Sequence, residues 1–384
     1  MAIEGELCVR LGWDGRAVHG VHIASTRPFA AARVLTGMLP AEASATVARL
    51  YSICSCAQET ASARALAAAA GIDAAAASER ATVPVQLEAI QEYLWRILID
   101  WPQAMGRDAI VPPVAEARRR VADALGSLRA TDDAMPAKAG APLVAALEAI
   151  AAAHVYGITP RAFLALRDID ALEDWIARAD TLPAALLGML QASLPTLGRS
   201  DIALMPDILR DAFVAHVLPA FGERPDFARA PDWAGTPVET GALARMQSHP
   251  LLLALRARQG NAVAVRMAAR LIELAALLVG IEGEAGGASA PRWVDAFATA
   301  PGDGVAAVQT ARGLLLHRAR IDAGRVTGYE IVAPTEWNFH PAGALARGLD
   351  GMEADDEAML QRHARLVVQG LDPCVACRIE VGHA

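Results

Sequence analysis

Four of the five cysteines in this 384-residue chain stand as two close pairs, Cys54 and Cys56 in "YSICSCAQ" and Cys374 and Cys377 in "DPCVAC". In a CxxC pattern the two intervening residues let both sulfurs face one ion, so Cys374 and Cys377 are candidate ligands for a thiophilic metal. CxC is the weaker pattern, and Cys56 is equally readable as a small buried residue, as is Cys8 near the start of the chain. If the two segments meet in the fold, four thiols converge, although their spacing is not that of a common zinc ribbon or finger. A thioredoxin-type redox pair is disfavoured, because that motif opens a helix after a strand, whereas this CxxC follows a helical pattern.

The elements that must position these thiols are mainly helical, which gives a mainly α (α+β) class. Short β-type runs at 3–10 and 17–24 flank "GWDGR" and predict a hairpin over 3–24. A helical body follows from 28 to 280, with apolar spacings of three and four at 57–71, 84–101, 113–128, 141–157 and 170–180. Pro84 and Pro113 mark helix entries, and Gly71 and Gly157 mark exits. The segment 131–142, "TDDAMPAKAGAP", predicts an exposed loop within one body spanning 1–384. A second hairpin is expected at 312–334 around "DAGR", and a last helix at about 354–370 delivers the chain to the CxxC in 354–384.

Composition narrows the function classes. Hydrophobic residues make up 54% of the chain and charged ones 20%, enough apolar material for a large core. A net charge of −8 without a basic run excludes a nucleic-acid partner. The longest apolar stretch, 249–283, is broken by Arg256, Arg258, Arg266 and Arg270, which argues against membrane insertion. No signal segment is visible at the N-terminus, so a cytoplasmic location is expected. In that reducing compartment cysteines serve as metal ligands or free thiols.

At these same cysteines the sequence resembles a family. "DPCVAC" resembles the DPCxxCxxH motif that ends NiFe hydrogenase large subunits, and "RLYSICSCAQ" (49–58) resembles their RxCGxCxxxH. "IEGEL" (3–7), "VETGALARM" (238–246), "QTARGLLLH" (309–317) and "VAPTEWNFHP" (332–341) resemble the family's IEGHL, EVGPLAR, EAPRGxLxH and VPTTWNxSP segments, in the same order. The resemblance runs nearly end to end, with no matching motif between about 100 and 230. It implies a large-subunit-like central helical bundle, with the small β elements near the metal-site end.

Carried over position by position, the resemblance implies that Cys54 and Cys377 bind iron, that Cys374 matches a terminal nickel ligand, and that Tyr51 stands where another nickel cysteine is usual. Cys56 is an additional candidate thiol, and Glu4 and Glu380 are weaker candidate metal residues. Arg312, Pro334 and Thr335 would hold the cyanides of an Fe(CN)2(CO) group. Nickel is not expected, because a phenol is a poor substitute for a soft thiolate. The proton gate of the family's RGFE is replaced in "RPFA" by Ala30, after Arg27, and Gln58 and Gln309 replace a histidine and a glutamate. The chain ends seven residues beyond Cys377, so no cleavable extension is expected.

These departures resemble HupK/HoxV-type hydrogenase accessory proteins. They imply a non-catalytic maturation scaffold that binds or assembles Fe(CN)2(CO) and passes it to the large-subunit precursor. Its expected partners are that precursor and the cyanide-delivery chaperones. The alternatives are a divergent active hydrogenase, a zinc- or iron–sulfur-binding protein, and a metal-free mimic of the large subunit.

Overall fold

The computed structural model describes residues 5–27, 29–51, 54–72, 75–131, 137–206, 210–282 and 292–383. The first hairpin forms where the alternation predicts it, as β1 (Glu6–Trp13) and β2 (Val18–Ser25). Asp14 makes the turn, its Oδ1 accepting the backbone N–H groups of Arg16 and Ala17 at 2.8 Å each. The hairpin is not alone. A sheet in the order β2-β1-β9 adds the last strand, β9 (Ala376–His383), parallel to β1 with Leu7 opposite Cys377. The two ends of the chain are therefore hydrogen-bonded neighbours. Between them come the two-residue strands β3 (Ala203–Leu204) and β4 (Val238–Glu239), which pair with each other.

The 312–334 hairpin is present as β7 (Gly313–Asp322) and β8 (Arg325–Val332), and it is half of a four-stranded antiparallel meander with β5 (Val294–Ala300) and β6 (Asp303–Thr310). β6, "DGVAAVQT", is buried from its second residue to its last. A strand covered on both faces has no alternation to betray it, which is why the pattern of 303–310 does not reveal it.

The helices follow the predicted periodicity with two corrections. Pro84 lies inside the helix Ala75–Trp95 and not at its entry, because the alanine-rich run before it is itself a strong helix former. The helix Ala137–Ala151 takes in Gly140 and Pro142 of the expected loop, while 132–136 lie outside the described residues. Two helices close in π turns, Arg96–Asp100 and Ala152–Tyr156, and the second ends at Gly157 with φ +66°. Among the described residues no helix is long and apolar enough to cross a membrane.

At the centre lies the helix Val263–Glu282, packed against the helices 75–95, 137–151, 160–164 and 357–371. Its charged residues Arg266, Arg270 and Glu273 are buried, and each faces an opposite charge. The helix Ser55–Ala69, which starts beside Cys54, lies across β5, β6 and β7. Gly304 permits that approach. A Cβ there would sit 2.3 Å from both Ala65 O and Ala69 N, so the helix could not stay in place. Gly304→Val is expected to destabilise the fold by at least about 1–3 kcal/mol, the usual cost of overpacking, read as a lower midpoint in urea denaturation.

Candidate metal-binding site

Five segments of the chain meet where β9 leaves the last helix. That helix, Glu357–Leu371, starts on Asp356, whose Oδ1 accepts Met359 N–H, and stops at Asp372 in the left-handed region (φ +55°). This reversal aims Pro373 and Cys374 back towards the N-terminal sheet. The Asp372 carboxylate is buried and lies 2.7 Å from Arg96 Nε, 3.5 Å from Arg312 Nε and 3.9 Å from Arg270. Burial alone would raise its pKa, yet the three guanidiniums hold it below the usual carboxylate value. Asp100 at 2.5 Å from Arg96 and Glu92 at 2.7 Å from Arg312 bring the cluster to three cations and three anions. The π turn 96–100 puts Arg96 within reach, and Arg96 also donates to Pro373 O at 3.1 Å.

Cys374 is held by three contacts. Its N–H donates to Thr335 Oγ1 at 3.2 Å, its Sγ lies 3.0 Å from the same hydroxyl, and a guanidinium nitrogen of Arg27 lies 2.7 Å from the sulfur. The Arg27 side chain is nearly enclosed and reaches Glu336 at 3.2 Å on its other side. Burial raises Glu336 to about 7, against the pull of Arg27 and Arg229. Thr335 is itself fixed at the start of the helix Pro334–Asn338, whose Asn338 accepts Thr240 N–H at 2.9 Å and donates to Arg312 O at 3.3 Å.

Arg312 sits in a tight turn, its N–H donating to Thr310 Oγ1 at 3.1 Å while that hydroxyl donates to Gly313 O at 3.0 Å. Gly313 has φ +128°, and a Cβ there would meet Thr240 at 2.3 Å, so no other residue fits.

Cys54 precedes the helix 55–69. Burial pushes its thiol well above the ordinary value, with Cys374 and Glu88 adding to the effect. Gln58 Nε2 lies 3.7 Å from its sulfur, Gln58 Oε1 is 2.9 Å from His317 Nε2, and His317 Nδ1 is 2.7 Å from Tyr329 OH. If Gln58 uses its amide N–H towards the sulfur, its carbonyl accepts from His317 Nε2 and Tyr329 donates to Nδ1, so every donor in the chain points towards Cys54. Burial lowers the His317 pKa to about 3, which keeps the ring neutral.

Cys54 and Cys374 line one cavity of about 20 Å³, together with Arg27, Tyr51, Gln58, Arg312, Pro334 and others. Arg312, Cys374 and Val375 also line a second, open cleft of about 760 Å³ between the helices 75–95 and 111–131. Cys56 faces that cleft; its N–H and that of Ala57 donate to Glu88 at 2.7 and 3.0 Å. Burial lifts Glu88 to about 7 against those two bonds.

Cys377 does not line the small cavity. It lies on β9 opposite Leu7, and burial, with Cys8 and Glu6 nearby, raises its thiol to about 12. Glu380 pairs with Arg10 at 2.9 Å and with Arg378 on the strand surface, and Glu4 lies outside the described residues. The two cysteine segments do meet: Cys54 and Cys374 share the small cavity, Cys56 and Cys374 the open cleft, and Cys377 lines neither. Among the described residues no group of three His, Cys, Asp or Glu side chains is spaced to hold a metal.

The sequence motifs flagged neither the contact of Arg27 with Cys374 nor the roles of Arg96, Glu92, Glu336 and Asp372. Asp372 had a signal, the Asp-Pro step before the CxxC, and its partner Arg270 had one in the broken apolar stretch 249–283, whereas Arg27 and Arg96 had none.

Comparison with known proteins gives the site its setting. Residues 221–380 match the nickel-dependent hydrogenase family model. The hydrogenase expression/formation protein HoxV of Cupriavidus necator is 32% identical over 99% of this chain and 96% of its own length. HupK of Rhizobium leguminosarum bv. viciae is 32% identical over 95% of this chain and 93% of its own. The chain belongs to the HupK/HoxV family of hydrogenase expression/formation proteins.

Its fold is that of the hydrogenase large subunit. A reduced, active Ni-Fe-Se hydrogenase from Desulfomicrobium baculatum matches 94% of both chains with a TM-score of 0.57 at 17% identity. In this HupK/HoxV-family chain the segments 238–246, 309–317, 332–341 and 372–377 converge on the cysteines.

The neutral, buried His317 carries a pH signature. The unfolded chain takes up a proton near pH 6.5 that the folded chain refuses until about pH 3, so stability should fall as pH drops through that window. The slope from this one group is at most about 1.4 kcal/mol per pH unit. Chemical denaturation between pH 7 and 4 should show His317→Gln losing that share of the slope.

Proposed function

We propose that this protein is a non-catalytic scaffold of hydrogenase maturation whose cargo is an Fe(CN)2(CO) unit, received from cyanide-delivery chaperones and passed to the large-subunit precursor. The observation that carries the reading is the convergence of Cys54 and Cys374 on one cavity walled by Arg312, Pro334 and Tyr51. Soft thiolates suit iron. A buried guanidinium, together with a hydroxyl such as that of Thr335, suits the nitrogen end of metal-bound cyanide, which needs donors in a dry surrounding. The kinship with hydrogenase expression/formation proteins supports the same role.

A space of about 20 Å³ has room for about one water, less than an iron with three diatomic ligands requires. Arg27 must therefore leave Cys374 for cargo to enter. The guanidinium acts as a placeholder that keeps the sulfur engaged until it is exchanged for metal. The 760 Å³ cleft reaches Cys374 and Arg312 from outside and is the route of entry. Cys377 joins the cargo if the first residues of β9 lift from β1. Two or three thiolates hold iron less firmly than a finished bimetallic site, which suits transfer. By the sequence resemblance, Ala30 and Gln58 stand where hydrogenase large subunits carry a glutamate and a histidine, in keeping with a carrier and not a catalyst.

Infrared spectroscopy of protein purified anaerobically after co-expression with the maturation system should show metal-bound cyanide and carbonyl stretches. Cys54→Ser and Cys374→Ser should abolish or shift them, and Cys377→Ser should show whether β9 contributes. A silent spectrum from the wild-type chain would leave the metal-free mimic of the large subunit as the better reading. The route can be read without cargo. Ala122 lies exposed on the cleft wall, and Ala122→Trp should slow alkylation of Cys374 by iodoacetamide by about tenfold, followed by peptide mass spectrometry.

A further inference from the structure

A second cleft, of about 650 Å³, opens on another side of the β5–β8 sheet. Its walls carry Arg33, Arg224, Arg229 and Arg320 against one carboxylate, Glu330, in a chain whose net charge is −8. The guanidiniums are held from behind: Arg224 pairs with Asp232 and lies over the Phe227 ring at 5.2 Å, and Arg320 lies 3.7 Å from Asp303. Asp232 and Asp303 are largely buried, while Arg224 and Arg320 stay 41% exposed, so the cationic ends face the opening. Gly328, opposite Arg320 in the ladder, lies against the Arg320 side chain, 3.6 Å from where a Cβ would stand.

One wall of this cleft is the backbone of β8. It is an edge strand; the helical turn Phe29–Leu35 packs against it, and its outer side is closed by hydrogen bonds at Val326, which exchanges them with Met38 O and Gly37 N–H at 3.0 and 2.8 Å. From Thr327 to Ile331 the described residues show no backbone bonds other than the ladder to β7. An open strand edge recruits another extended chain, and its hydrogen bonds supply affinity while neighbouring side chains supply selectivity.

We propose that this cleft receives an extended acidic segment of a partner protein, which adds to the outer edge of β8 and is read by Arg33, Arg224, Arg229 and Arg320. The location gives the contact a consequence. Tyr329 lines the cleft, and its hydroxyl begins the chain through His317 and Gln58 to Cys54. A docked segment thus lies along the backbone of the residue whose buried hydroxyl starts the hydrogen-bond chain to the site sulfur. The docking itself does not depend on the cargo reading and is tested without cargo.

The probe is a fluorescein-labelled octapeptide of alternating Glu and Val, titrated with the full chain and followed by anisotropy. Saturable binding is expected, with Kd raised at least about tenfold in Arg33→Glu/Arg229→Glu and by high salt, since exposed charges are screened. The milder Arg33→Gln should weaken binding in the same direction, and thermal melting confirms that both variants fold. Peptide should slow amide exchange at 327–331, and a backbone N-methylated version should fail to bind. Absence of saturable binding, a Kd indifferent to charge reversal, or protection elsewhere but not at 327–331 would overturn the proposal. So would equal binding of a Lys/Val peptide.

Discussion

The carboxylate of Asp372 is the point on which the site depends. It ends the last helix in a left-handed turn and lies buried among Arg96, Arg270 and Arg312, which come from three other segments. Buried charges persist only when paired, so this one anion fixes the positions of three cations as firmly as they fix it. From that anchor Cys374 is turned towards Thr335 and Arg27, and β9 is launched beside β1. With the β1–β9 ladder, it brings the two ends of a 384-residue chain together where the thiols lie.

The central helix 263–282 serves the same arrangement from below. Its Arg266 binds Glu239 at 2.8 Å, and its Glu273 binds Arg245 at 2.5 Å and Tyr93 OH at 2.5 Å. Each pair ties the helix to a segment bordering the site: Glu239 and Arg245 flank Thr240 and Gly241, which fit against Arg312 and Gly313. Two of the four arginines that break the apolar stretch, Arg266 and Arg270, are internal ties of the end that holds the cysteines. A polar side chain inside an apolar helix costs too much to keep unless the fold supplies its partner.

The motifs placed the right segments together but not every side chain. "VETGALARM", "QTARGLLLH", "VAPTEWNFHP" and "DPCVAC" do form one neighbourhood. The pairing of thiols within it was not legible. Cys374 shares a cavity with Cys54, while Cys377 stands on a strand three residues on, because β9 begins at Ala376 and its register with β1 decides which side chain faces which space. Arg27 was legible only as a neighbour of the missing proton gate; that its guanidinium lies against the Cys374 sulfur follows from the packing of Glu336 beside it.

By itself the sequence determined the helical body, the two hairpins, the cysteine pairs and the membership in a large-subunit lineage, since each is written in local periodicity, turn residues or short motifs. The tertiary structure alone decided what depends on partners far along the chain. β6 is invisible in pattern because both its faces are covered. β9 needs a strand some 370 residues earlier to pair with. The Cys54–Gln58–His317–Tyr329 chain joins residues up to 275 positions apart. Local pattern reports how a segment buries its own surface; which buried group meets which is settled only when the whole core closes.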